Sequence, residues 1–277
     1  MFTPSKRFLV VKWLILAMVL TSMATNRLFA QNFSLGAKAG PLVLWSPYGD
    51  KDDGKDVEQQ PKFGYYVAGI INFPLKNNYT AVIEGGFSQK GRKVEFEGNF
   101  NNGTYYFVDA ALLLRKSFKF NLTKNIPATG FFNVGPHISY WLGGKGTVGG
   151  VGGDGSSYKI QFIDSLTAED SDYKTMYMVD VNRWLFGADI GFGMTAPIKK
   201  TQRVLVELRF TWGHTFYGSR SAQYYNWVQF TDNNMRANEK VLSITGAYIF
   251  DFDLREGKKG HSTKDKEVKR KPVRRRR

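Results

Sequence analysis

The first residues able to do chemistry are His137 and Ser139, spaced as His-Ile-Ser. In an extended chain, residues two apart project to the same face. The imidazole could then take the proton of the Ser139 hydroxyl, the relay used for attack on an ester. The competing reading is an interior hydrogen-bonded pair, and the strand phase set out below favours it. Residues 144–149, GKGTVG, match G-x-G-x-x-G, but no helix signal follows, so a flexible loop is expected rather than a dinucleotide site. Residues 149–154, GGVGGD, match the start of a calcium-binding nonapeptide. One copy cannot stack into a β-helix, and the apolar position is taken by Ser156. Asp164, Glu169, Asp170, Asp172 and Asp232 are acids in the same kind of loop, with no spacing that pairs them for acid–base work. Three scattered histidines and no cysteine give no metal-ligand pattern, and no cofactor is expected.

The elements that must position these groups are read from charge and hydropathy. The formal charge is +15, which suggests nucleic acid until its location is considered. Residues 1–30 hold four basic and no acidic residues, residues 258–277 hold eleven basic and two acidic, and residues 31–257 are left with +2. A nearly neutral body gives little support for nucleic-acid binding. Lys6, Arg7 and Lys12, the apolar run WLILAMVL and Ala30 have the build of a secretory signal peptide over residues 1–30. Without cysteine the mature chain carries neither a lipid-acylated start nor disulfides. After residue 30 no apolar run approaches the roughly 18 residues of a membrane-spanning helix, so the chain stays soluble or crosses a membrane as strands.

Eight segments alternate with period two: NFSLGAKAG, YYVAGIINF, YTAVIEGGFSQKG, YFVDAALLLRKSF, FFNVGPHISYWL, WLFGADIGFGMTA, RVLVELRFTWGHTF and VLSITGAYIFDF. In the seventh, Val204, Val206, Leu208, Phe210 and Trp212 share one face, and Arg203, Glu207 and Arg209 the other. Connections 46–62, 92–104, 143–183 and 217–240 are long; 74–78, 119–130 and 197–202 are shorter, and the two kinds alternate strictly. A soluble lipocalin-like barrel has no reason to sort its loops by parity and would bury its bulky face. The pattern predicts an all-β fold, an eight-stranded antiparallel up-and-down transmembrane β-barrel over residues 31–253. Its bulky face would meet outer-membrane lipid of a Gram-negative cell, with both termini periplasmic. Phe33, Phe73, Tyr79, Phe118, Phe131 and Phe252 fall at one set of strand ends, and Trp45, Tyr65, Tyr105, Trp141, Trp184 and Phe216 at the other, as in two interfacial girdles. SSYKIQFID and YKTMYMVD, in the third long loop, are read as an external hairpin; if they crossed as well, the barrel would have ten strands.

An eight-stranded barrel is narrow enough for side chains to fill its bore. The inward positions supply Lys38, Glu84, Lys90, Asp109, Arg115, Asp189, Glu207 and Arg209. Mixed signs allow pairing, and buried charges must pair. The expectation is a salt-bridged plug in place of a water-filled channel. His137 and Ser139 fall on this same face. His214 falls on the lipid face near the external end.

GAKAG, IEGGFSQKG, VDAALLLRKSF, VGPHISYWL and GADIGFGM resemble the small, porin-like outer-membrane β-barrel family of Bacteroidota, over about residues 31–253. Glu84, Gln89 to Gly91 and Gly135-Pro136 carry the resemblance best. Where that family often has Glu-x-Pro in the fourth strand, this chain has Asp109-Ala110-Ala111. The resemblance implies an eight-stranded outer-membrane barrel, and some barrels of this general type serve secretion and gliding machinery. The His137/Ser139 spacing resembles that of lipid A deacylase barrels, and Asp164-Ser165-Leu166 resembles that phylum's O-glycosylation triplet. Residues 254–277 lie outside the resemblance. They lack aromatics and hold Lys269, Arg270, Lys271, Arg274, Arg275, Arg276 and Arg277. Such a tail is expected to be disordered alone and, in the periplasm, to attract peptidoglycan, acidic headgroups or an acidic protein. The functional expectation is a structural or adaptor protein, not an enzyme, with a small solute channel and a lipid-acting enzyme as alternatives.

Overall fold

The structure, a computed structural model, describes residues 32–50, 57–123, 126–150, 155–167, 170, 172, 174–225 and 234–253. The expected signal segment, the basic tail from Lys269 to Arg277, Glu169 and Asp232 lie outside these residues. Among the described residues twelve strands form: β1 (Asn32–Trp45), β2 (Glu58–Gln60), β3 (Lys62–Pro74), β4 (Tyr79–Phe96), β5 (Asn99–Thr123), β6 (Ile126–Gly149), β7 (Ser156–Ile163), β8 (Thr175–Val179), β9 (Trp184–Lys199), β10 (Gln202–Gly213), β11 (Gln223–Tyr224) and β12 (Lys240–Asp253). Eight of them close a ring in the order β6-β5-β4-β3-β1-β12-β10-β9, and β9 pairs back to β6. The fold is an all-β, closed, eight-stranded antiparallel barrel.

Period-two sequence explains the closure. Every bulky residue of one phase sits outside: Phe192, Leu112, Val206 and Ile244 are each at least half exposed, while their neighbours Glu207 and Asp189 are fully buried. A contiguous exposed apolar band of this kind has water as its wrong solvent. Strand ends are turned by residues that tolerate a left-handed backbone. Asn77 and Asn78 (φ 59° and 63°) connect β3 to β4, and Glu97 and Gly98 (φ 46° and 79°) connect β4 to β5. The expected long loop 92–104 is therefore mostly a regular hairpin. β5 and β6, at 25 and 24 residues, far exceed the roughly 9–11 a strand needs to cross a bilayer. Part of their surplus stands above the apolar band at the end with the long connections, here termed the loop end.

Three further expectations need correcting. SSYKIQFID and YKTMYMVD do not form a hairpin. β7 pairs antiparallel with residues 145–148 of β6, and β8 then runs parallel to β7. These strands extend the sheet beyond the band and do not enlarge the eight-membered ring. Second, Tyr105, Trp141 and Phe131 are inside the barrel rather than in girdles. Each shares the phase of Asp109, His137 or Asn133, so its position near a strand end did not decide its face. Tyr106 and Tyr140, one residue away, pack outward with Phe87 and Trp184. Third, Phe216 lies over the loop-end segment, against the position a Gly49 side chain would take. Trp45, Tyr65, Trp184 and Trp212 are exposed at the loop end, and Tyr79, Phe118 and Phe252 at the turn end.

Candidate functional site

The inward positions of β1, β4, β9 and β10 bring five groups to one point. Lys38 Nζ lies 3.2 Å from Glu84 Oε1 and 3.1 Å from Glu207 Oε2. The Arg209 guanidinium donates two 2.8 Å bonds to the Glu84 carboxylate, one of 2.5 Å from Nε to Glu207 and one of 3.2 Å to Asp189. That fork-to-carboxylate geometry is the strong form of an ion pair. Nearer the turn end, Arg115 approaches Glu207 at 3.7 Å and lies 4.2 Å over the Phe131 ring. The strands come close where side chains are small. At Gly40, a Cβ would sit 2.0 Å from the Ile244 carbonyl oxygen of β12, so only glycine lets β1 and β12 approach there.

A second knot lies toward the loop end. Lys90 Nζ is 2.9 Å from Glu239, 3.3 Å from Asp109 and 3.2 Å from Ser139 Oγ. His137 joins the two knots, with Nδ1 3.2 Å from Asp189 and Nε2 3.3 Å from Asp109 and 2.9 Å from Ser139 Oγ. Both ring nitrogens face carboxylates, a geometry that two N–H donors satisfy. The Ser139 hydroxyl donates to Asp109. Thr211 donates to Asp189 at 2.6 Å, and Tyr217 to Glu239 at 2.9 Å. Lys38, Lys90, Arg115 and Arg209 thus face Glu84, Asp109, Asp189, Glu207 and Glu239. His137, between two of these carboxylates, evens the balance when both its nitrogens carry protons.

Apolar side chains close the network at both ends. Toward the turn end, Ile70, Val82, Ala111, Leu113, Phe131, Leu205, Ala247 and Ile249 form one cluster. Toward the loop end, Tyr105, Phe107, Trp141, Met176, Met178 and Tyr217 belong to a larger one built from the surplus of β5 and β6 and from the loop-end strands. Between the clusters, the cavity beside His137, Asp109 and Arg209 measures about 20 Å³, room for one water. His137 and Ser139 therefore have the spacing of a nucleophilic relay, but Ser139 is fully buried and no acyl group has space beside its oxygen. The arrangement is suited to holding strands together.

The remaining sequence candidates are dispersed. His214 is exposed at the loop end. Asp170 accepts hydrogen bonds from the Thr167 amide and hydroxyl. Asp172 accepts them from the Lys174 amide and the Thr175 hydroxyl, which hold its carboxyl below the usual carboxylate range. Both cap turns. Among the described residues no group of three or more His, Cys, Asp or Glu could hold a metal ion. Glu239 and Tyr217 belong to the network but were not singled out from the sequence. Glu239 has the same phase as Val241, Ser243 and Thr245, and carrying the alternation of β12 two residues upstream would have found it.

A closed eight-stranded ring, an apolar exterior and an ionic interior are now joined by a sequence match. A family model described as "Outer membrane protein beta-barrel domain" matches residues 29–215. The chain belongs to this family. It is thereby placed in the outer membrane of a Gram-negative cell, with lipid against the exposed band. No curated protein matches the chain. Solved structures to which the chain is similar include OprG from Pseudomonas aeruginosa, at 9% identity, 81% of this chain, 97% of that chain and TM-score 0.45. Neisserial surface protein A (NspA) matches at 8% identity, 79% and 97% coverage and TM-score 0.40. Ail of Yersinia pestis, solved with the heparin analogue sucrose octasulfate, matches at 9%, 79% and 99% with TM-score 0.31.

Proposed function

We propose that this outer-membrane barrel is a non-enzymatic structural or adaptor protein that works through its two ends. The long connections face outside and present partner surface, both termini lie in the periplasm, and the basic tail tethers the barrel to an acidic protein or to peptidoglycan. The observation that carries this reading is the sealed interior. Charges paired across the bore, with aromatics packed at one end and aliphatics at the other, leave a cavity of only about 20 Å³ beside His137 among the described residues, so function is assigned to the surfaces. The tail supports the periplasmic half of the reading, since eleven basic residues against two acidic in twenty attract anionic surfaces in a salt-dependent way. The motifs GAKAG and IEGGFSQKG support a host in Bacteroidota, where a secretion or gliding apparatus is one candidate partner.

A paired capture from outer-membrane extract tests it. One bait is full length, the other stops at Gly257, and each is washed at low and high salt. A protein or peptidoglycan fragment held by the full-length bait, lost in high salt and lost on truncation, is the expected result. Identical captures with both baits would remove the tail from the proposal.

A further inference from the structure

One surface above the apolar band is built for an anion. On the outer side of the extended sheet, Thr104 of β5, Lys145 of β6, Lys159 of β7 and Thr175 of β8 lie in one row, in that register. Lys145 and Lys159 are directly opposed, an arrangement in which like charges destabilise a sheet. Neither forms an ion pair among the described residues. With Lys174 they line an open groove of about 630 Å³, whose walls add Asn102, Thr147 and Ser157. Asp172 is the sole carboxylate on the groove among the described residues, and it is committed to the Lys174 amide and the Thr175 hydroxyl. Lys62 braces one wall, donating to Asn102 Oδ1, the Gly103 carbonyl and Thr104 Oγ1; its side chain passes where a Gly91 Cβ would be.

The chain takes a specific step to place Lys145 there. The β5–β6 register skips Leu142: Phe107 faces Trp141 and Tyr106 faces Gly143. This bulge shifts the phase of β6 by one residue, the usual effect of an extra unpaired residue. Without it, Lys145 would share the inward phase of Trp141 and His137. The groove starts two residues above the Tyr106–Gly143 row, about 7 Å along a tilted strand, immediately above the aromatic girdle and the exposed Leu142. Aromatic girdles sit at headgroup level, which sets the groove beside lipid phosphates.

We propose that this groove binds the phosphate groups of an outer-leaflet lipid headgroup, with Lys145 and Lys159 as the principal contacts and Lys174 at the edge. The inference rests on the orientation given under Proposed function, with the long connections outside. A bound phosphate removes the repulsion of the opposed lysines and ties the external sheet to the membrane surface.

The test uses the full chain in nanodiscs and counts bound lipid by native mass spectrometry. The probes are a phosphorylated lipid A and the same lipid after dephosphorylation. The wild type is expected to retain the phosphorylated form preferentially. Replacing Lys145 and Lys159 together by Gln should weaken retention by about fivefold per lysine and leave binding of the dephosphorylated lipid unchanged. Equal retention by wild type and variant would overturn the proposal, as would displacement of the lipid by millimolar inorganic phosphate, which would mark a free-phosphate site. The chain has no cysteine, so Thr147→Cys offers a single thiol for orientation. Labelling by an impermeant maleimide on intact cells is expected. No labelling beside lysine-dependent binding in nanodiscs would overturn the orientation and the outer-leaflet source, while leaving the lysines as an anion site.

Discussion

Replacing Arg209 by Met should be among the most destabilising single changes in the barrel. Arg209 is 4% exposed and donates to three carboxylates, with two bonds to Glu84 at 2.8 Å, one to Glu207 at 2.5 Å and one to Asp189 at 3.2 Å. Met keeps most of the volume, so little of the loss comes from packing. The charge is what disappears. Lys38 remains shared between Glu84 and Glu207, and Arg115 stands 3.7 Å from Glu207, so one buried carboxylate is left uncompensated. Breaking a buried pair by removing one partner costs about 3–5 kcal/mol, whereas removing both partners is close to neutral. Arg209→Met should therefore lose about 3–5 kcal/mol, and Arg209→Met with Glu84→Gln should recover more than half of it. The assay is urea unfolding in lipid vesicles, read by tryptophan fluorescence and by the mobility of unheated samples in electrophoresis. A single variant within about 1 kcal/mol of wild type, or a double variant whose losses add, would refute the reasoning.

Other outcomes follow from the same structure. In a planar bilayer the purified barrel should show no steady conductance; stable openings at neutral pH would contradict a bore whose central cavity holds about 20 Å³. Val206→Arg places a charge on the exposed apolar band and should cost about 2–4 kcal/mol in vesicles, while a cost near zero would mean that Val206 does not face lipid. Trp141→Ala opens the loop-end cluster and should cost about 3–5 kcal/mol, measured by the same unfolding curves; a loss under about 1 kcal/mol would contradict its packing against Tyr105, Phe107 and Tyr217. Asp172 is held below the ordinary carboxylate range in the folded turn by the Lys174 amide and Thr175 hydroxyl. Its contribution is thus full above the unfolded value of roughly 4 and is lost as pH falls through the lower folded value. Amide exchange at Lys174 should lose protection across that acidic range, and a protection factor independent of pH would refute the cap.

The fold was legible because one signal, period two, ran through eight segments, and because loop length alternated with it. Val206 beside Glu207 is enough to give the phase of β10, and the closed ring follows once every strand obeys the same rule. The same rule placed Lys38, Glu84, Asp189 and Arg209 on one face, although it could not say which touches which. Those distances depend on the stagger of strands far apart in sequence. The misread residues share one cause. Trp141, Tyr105 and Phe131 were assigned by residue type and proximity to strand ends, although phase put them inside. The parallel β7–β8 pair was illegible because two short apolar segments eleven residues apart carry no sign of their relative direction. The bulge at Leu142 was hidden for a related reason: a phase shift beside Gly143 and Gly144 has no side chain to report it.

The partners in the ionic core have a bearing on how the chain assembles. Lys38 and Glu207 are 169 residues apart, and Arg209 and Glu84 are 125 apart. A nascent barrel holding only β1 to β6 would carry Lys38, Glu84, Lys90, Asp109 and Arg115 toward its unfinished bore before Asp189, Glu207 and Arg209 arrive. Non-local contacts of this separation form late, after the entropy of closing the intervening chain has been spent. Until β10 docks, the half-built interior favours water over hydrocarbon and resists burial. The two carboxylates and the guanidinium delivered by β9 and β10 act as the latch. The ring itself closes when β12 pairs with β1 and brings Glu239 to Lys90, so closure and the last ion pair arrive together.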